Sequence, residues 1–387
     1  MGSQLVDPSA MPPNPVSVRS RMGVRITLLG FGILALLTGL CGAMGRLGWT
    51  LPHGASLAAL HGPLMISGLF GTLIGLERAV ALGSRWSLAA PMFSGIGTLA
   101  LVVGAPTAFG AASYVVAAAI LSMASLVITI RQPAVFTGTM SFGALSWLIG
   151  NILWLLGEPI QGVVGWWLSF LIMTIAGERL EMSRLLPGRK GSEIIFLVAV
   201  GLLAAGSQNG IATENGAVLY GLALLLTTLW LMMNDIARVS VRRDGITRFM
   251  AVCMLSGYVW LGLAGIALIA FPPSATAYGY DLALHAVLIG FVLSMVFGHA
   301  LVILPAVARI RVRYAPVLYA PLSLLHASVM LRIGADLAGW DVGRKGSGIL
   351  TLLALLAFVG SLAVTGWRRR RTHIREADAG PRVVPEA

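Results

Sequence analysis

Long apolar runs recur along this chain, and basic residues sit at every second junction between them. Of the 27 Lys and Arg residues, all but Arg46, Arg332, Arg344 and Lys345 fall in the two tails and in alternate loops. That asymmetry is the positive-inside bias of a chain that crosses a bilayer many times. A spanning helix needs roughly 20 mostly apolar residues. Twelve runs qualify: Ile26–Met44, Leu57–Gly75, Leu88–Ala105, Ala111–Ile130, Phe136–Leu156, Val163–Leu180, Ile194–Asn209, Ala217–Met233, Phe249–Phe271, Leu282–Leu304, Pro316–Leu337 and Ile349–Trp367. None shows period-2 alternation, which argues against a membrane β-barrel. The expected fold class is all-α, a polytopic integral membrane bundle of about twelve transmembrane helices.

The basic junctions fix an expected orientation. Arg19, Arg21 and Arg25 precede the first run. Arg78 and Arg85, Arg131, then Arg179, Arg184, Arg189 and Lys190 follow at alternate junctions. Arg238, Arg242, Arg243 and Arg248 come next, then Arg309, Arg311 and Arg313, and finally Arg368, Arg369, Arg370 and Arg371. Twelve spans put all of these on one side, so both termini are expected in the cytoplasm, in a bacterial inner membrane. The opposite loops hold Glu158, Glu214, Asp281 and Asp341. The net charge of +12 then serves topology and anionic lipid headgroups. No folded basic domain exists to bind nucleic acid.

The expected domain organisation is a disordered tail over residues 1–22, one transmembrane domain over 23–367, and a basic, polar tail over 368–387. The Pro- and Ser-rich start does not read as a cleavable signal peptide. Cys41 and Cys253 lie singly inside apolar runs and read as packing residues. The 47 glycines suit closely approaching membrane helices. The charge pattern divides six plus six, yet no stretch of the first half repeats in the second. The nearest internal likeness joins His61–Gly75 to His285–His299, each opening on a His and rich in Gly and Met.

Histidines carry the functional argument. His53 lies in an outer loop and His373 in the tail. His61 and His285 each sit a few residues into a helix that enters from the outside, roughly 6 Å deep at 1.5 Å per residue. Two imidazoles at one depth on different helices can bind one iron from opposite faces, with a haem slotted between the helices. His299 lies roughly 21 Å further along the helix of His285 and cannot share that metal. With His326, in the eleventh run, it forms a candidate second metal pair. Intramembrane ionisable residues are functional by default, although a His can also simply bond a neighbouring helix. Arg332 lies toward the outer side of the eleventh run. It can pair with Asp336 one turn on, or fork onto a haem propionate. Glu77-Arg78 and Glu178-Arg179 close the second and sixth runs as expected interhelical salt bridges. Trp49, Tyr278, Tyr280 and Trp340 read as an interfacial aromatic belt. Asn151 and Asp235 fit no interpretable spacing.

His61-Gly62-Pro63-Leu64-Met65 resembles the start of the second helix of haem–copper oxidase catalytic subunits, where an HG-x-x-M segment supplies a haem ligand. The chain also resembles the NnrS family of haem- and copper-containing membrane proteins linked to nitric oxide metabolism. That family carries H-A-H-E-M-x-x-G in an early helix, matched here by His61, Met65 and Gly68. Its later A-L-H-A-x-x-x-G-x-x-x-x-M is matched by Ala283, Leu284, His285, Ala286, Gly290 and Met295. Pro63 replaces the second His of H-A-H, and the oxidase His-x-His and three-His copper cluster are missing. The resemblance implies a haem b protein that acts on or senses nitric oxide or a related small oxidant. Copper and catalysis stay open. Two other readings stand beside it: a twelve-helix secondary transporter, or an assembly factor without a ligand.

Overall fold

The computed structural model describes residues 15–186, 191–276, 278–309 and 312–378, with residues 15–21 and 366–378 as backbone only. The side chains of Arg19, Arg21, Arg189, Lys190, Arg311, Arg368, Arg369, Arg370, Arg371 and His373 therefore lie outside the described residues.

Among the described residues, twelve main helices form a polytopic membrane bundle. They are α1 (Pro15–Arg46), α2 (His61–Leu82), α3 (Trp86–Val102), α4 (Thr107–Arg131), α5 (Val135–Leu155), α6 (Ile160–Ser183), α7 (Ser192–Asn209), α8 (Glu214–Asn234), α9 (Gly245–Ala270), α10 (Gly279–Ala308), α11 (Pro316–Leu337) and α12 (Asp341–Asp378). Among the described residues, eleven are long and apolar enough to cross a membrane, and α3 is shorter. Each corresponds to one of the runs read from the sequence. The seventh, blurred by Gly206, Gln208 and Asn209, ends at Asn209 as expected.

Short links make neighbours antiparallel, and every consecutive pair packs together. The halves meet through α6, which packs against α7 and α8, and through α10, which packs against α1, α2 and α6 as well as α9 and α11. The end of α1 lies beside the start of α12: a Cβ on Gly348 would touch Leu47 and Met44, and Gly48 faces Lys345. The two helices run antiparallel, so the start of α1 and the end of α12 lie at the same end of the bundle.

In hydrocarbon every backbone polar group needs an internal partner, and buried side chains follow the same rule. Asn151 does this for the first half. Its Oδ1 accepts from Ser67 Oγ (2.9 Å) and Trp167 Nε1 (3.2 Å), while Trp147 Nε1 donates to Ser67 Oγ (2.9 Å). Asp235 does it for the second. It accepts from Tyr258 OH and from the backbone N–H of Ala237, both at 2.6 Å. These two residues, without pattern in the sequence, are the polar knots of the two halves.

Glycine sets the closest approaches. A Cβ on Gly71 would overlap the Trp147 ring, whereas Gly138 has open space around it. Gly71→Leu is therefore expected to destabilise the protein by about 1–3 kcal/mol through overpacking, seen as a lowered unfolding temperature in detergent. Gly138→Leu should leave that temperature unchanged.

Candidate cofactor cleft

Both α2 and α10 are irregular at the same place. His61 begins α2 and is followed by a π-helical stretch over Leu64–Phe70. His285 ends the first turns of α10 and is followed by a π-helical stretch over Ala286–Leu293. Such wide turns cost hydrogen-bond quality and occur often at functional sites. In α2, Ser94 Oγ donates to the Ser67 carbonyl inside the wide stretch (2.6 Å), so its polar backbone is partnered.

The two helices touch through their inner halves, Gly71–Leu82 against Ser294–Ala308. Their outer halves line a narrow cleft open at one side. His61, His285 and Arg332 all line it. The remaining walls are mostly apolar residues of α1, α2, α10 and α12, including Met44, Met65, Leu288 and Leu355, with Ser347 and Thr351 of α12 as hydroxyls. The three residues singled out from sequence thus come together in one space.

The two rings are held alike. Nδ1 of His61 donates to the Gly39 carbonyl of α1 (2.8 Å). Nδ1 of His285 donates to the Asp281 carbonyl (2.8 Å) and lies 3.2 Å from the Asp281 carboxylate. Each bond fixes the tautomer with the lone pair on Nε2, and neither Nε2 has a hydrogen-bond partner among the described residues. A ring N–H fixed to a carbonyl or carboxylate, with the other nitrogen open, is the way metal-binding histidines are oriented.

Arg332 is buried, at 8% exposure. Its main partner is Asp281 of α10, with Nε–Oδ2 at 2.8 Å and a second contact at 2.6 Å. Asp336, the expected i+4 partner, is 3.7 Å away and instead accepts from Arg344 Nε at 2.6 Å. Arg344 also lies 4.1 Å over the Tyr278 ring. This ion network takes up Arg344, one of the few cations on the outer side, and Tyr278 of the expected belt. Trp49 and Trp340 are exposed at that end, whereas the Tyr280 hydroxyl is buried.

His299 and His326 do not form a pair. His299 donates from Nδ1 to the Met295 carbonyl, and its Nε2 accepts from Arg179 at 3.1 Å. His326 Nδ1 accepts from Trp260 Nε1, and its Nε2 donates to Ser256 Oγ, both at 2.9 Å. Both nitrogens of each ring are engaged, so neither ring has a lone pair left for a metal. Among the described residues no group of three or more His, Cys, Asp or Glu is arranged to hold a metal ion. At the inner end, Arg78 of α2 pairs with Glu178 of α6 at 2.8 Å, the expected salt bridge. Arg179 turns inward to His299 and to the Met254 sulfur.

Sequence reading missed Asp281 as a site residue, placing it in a loop. It is the third residue of α10, and four residues before His285 it can reach back to that ring. The π-helical stretches were also missed. Pro63 beside His61 is the one local signal, because it removes a backbone donor at the point where the helix widens.

Asp281→Asn should cost about 2–4 kcal/mol, because it strips the charge partner from buried Arg332. The double variant Asp281→Asn/Arg332→Gln should lose less than the sum of its singles. Thermal unfolding of the four proteins in detergent measures both.

A family model described as a domain of unknown function (DUF8744) matches residues 25–367. No curated protein matches the chain.

Proposed function

The chain belongs to the DUF8744 family, and we propose that it is a haem b-binding integral membrane protein in which His61 and His285 would hold the haem. The single observation that carries this reading is the pair of Nδ1-anchored imidazoles in one apolar cleft, each with Nε2 unengaged. The donor set fits an iron porphyrin: two neutral imidazoles for the metal, apolar walls for the ring, and a buried guanidinium for a carboxylate edge. Bound there, haem supplies one-electron chemistry and affinity for small diatomic ligands.

The chain's own residues supply the rest. Gly39 and Asp281 keep the imidazoles in the ligating tautomer. Arg332 and Arg344 take up the charge of Asp281, and Asp281 in turn orients the His285 ring. The apolar residues of α1 and α12 exclude water. The NnrS-like motifs around Met65, Gly68, Gly290 and Met295 extend the reading to a response to nitric oxide or a related small oxidant. In this reading the basic ends face the cytoplasm and the cleft lies toward the opposite side of a bacterial inner membrane. A midplane substrate site is the usual mark of a secondary transporter, and the cleft is near one end of the bundle. No copper site is proposed, because the nitrogens of His299 and His326 are already bonded.

Purified protein from haem-replete cells should show a Soret band and, after dithionite, sharp α and β bands, with near-stoichiometric haem by pyridine haemochrome. His61→Ala and His285→Ala should each abolish or shift that spectrum, while His299→Ala and His326→Ala leave it intact. A colourless wild type, or unchanged spectra in both His61→Ala and His285→Ala, would overturn the assignment.

A further inference from the structure

Beside the ion network lies a second, open pocket lined by the α9–α10 link, the start of α10 and the end of α11. Thr276, Tyr278, Leu282 and Asp336 are among its lining residues. Asp336 is 4% exposed, and its carboxylate is fully covered. One oxygen, Oδ1, accepts from Arg344 at 2.6 Å. The other, Oδ2, is buried without a hydrogen-bond partner among the described residues and lies 3.7 Å from Arg332 Nε. A buried carboxylate oxygen lacking a donor carries an unrecovered desolvation cost, which a proton removes. Asp281 differs: its Oδ2 meets Arg332 twice and its Oδ1 faces His285.

The groups that face Asp336 are Arg332 on its own helix, Arg344 of α12, and Asp281 and Tyr278 across the network. Asp341 touches the same Arg344 at 3.6 Å. With both central carboxylates ionised, two negative charges balance the two arginines. An added negative charge in the adjacent cleft, in a medium that screens poorly, disturbs that balance. One proton on Asp336 restores it.

We infer that Asp336 is a proton-binding site coupled to the charge of the centre that His61 and His285 would hold. The inference rests on the haem reading above. In balance, for each electron that a bound haem would take from an external one-electron reductant, one proton from water would become bonded to Asp336 Oδ2. Oxidation returns both. The reduced protein binds the proton more tightly, so the reduction potential falls as pH rises through the coupled range. A tenfold change in proton concentration moves a fully coupled one-electron potential by about 59 mV.

The test is a spectroscopic redox titration of the full-length, haem-loaded protein in detergent across neutral and acidic pH. The wild type should show a slope approaching that limit over part of the range, and Asp336→Asn should flatten it while keeping the same optical spectrum. A pH-independent wild-type potential, or an unaltered slope in Asp336→Asn, overturns the inference and leaves the haem assignment standing. A wild type without haem overturns both. Should Asp336→Asn fail to fold, the wild type's reduced-minus-oxidised infrared difference spectrum decides. A protonated-carboxyl band that shifts in D2O supports the inference, and its absence overturns it.

Discussion

The ion pair between Arg332 and Asp281 ties the outer half of this bundle together. It joins α11 to α10, and through Asp336 and Arg344 it reaches α12. None of these charges would be tolerated alone at this depth. Together they form a neutral cluster whose desolvation is offset by short contacts. The cluster also determines where an imidazole can sit, because Asp281 holds His285 through both its backbone and its carboxylate. The cleft is thus fixed on one side by electrostatics and on the other by packing. His61 is held only by a backbone carbonyl of α1, whose close approach to α2 depends on small residues: a Cβ on Gly39 would press on Met65.

Much of this architecture was legible in the sequence, for physical reasons. Hydrocarbon thickness imposes long apolar runs, and the charge bias imposes alternation, so helix number follows from counting. The equal depth of His61 and His285 also survives as a shared cleft, because depth along a helix is set by residue number alone. Lateral position is different. His299 and His326 were paired from approximate depth, yet their rings turn to Arg179 and to Trp260 with Ser256, and no one-dimensional pattern distinguishes those partners. Arg332 shows the same limit. Its neighbour one turn along its own helix is the pairing that periodicity suggests, but a residue on α10 is nearer. Asn151 had no periodic partner because its partners lie on other helices, and Asp235 because its side-chain partner, Tyr258, lies on α9.

The inner half follows a different logic from the outer. Glu178 pairs with Arg78 at the rim, while the adjacent Arg179 is 8% exposed and bonds to His299 and the Met254 sulfur, both neutral acceptors. Its Nε has no partner among the described residues. This guanidinium caps the one open nitrogen of His299 and holds α6 to α9 and α10 at the place where α10 also meets α2. The inner ends are bound tightly, and the outer ends are left apart around the cleft.

The wide helical turns make that division possible. A π-helical stretch takes up roughly one residue more than an α-helix of the same length, and one residue re-aims the rest of the helix by about 100°. In α2 the residues beyond the stretch must press Gly71 onto Trp147 and meet α10, while His61, before it, must face the cleft. In α10 the same demand falls on Gly298, beyond the stretch, which abuts Cys253, and on His285 before it. A regular helix would carry one fixed face through both tasks. The break after each histidine uncouples the packing face from the face turned to the cleft, and its occurrence in the two helices that share the cleft reflects the shared geometric problem. The two segments are alike in sequence, His61–Gly75 and His285–His299, without occupying equivalent places in a six-plus-six repeat. A common task accounts for that likeness where a common position does not.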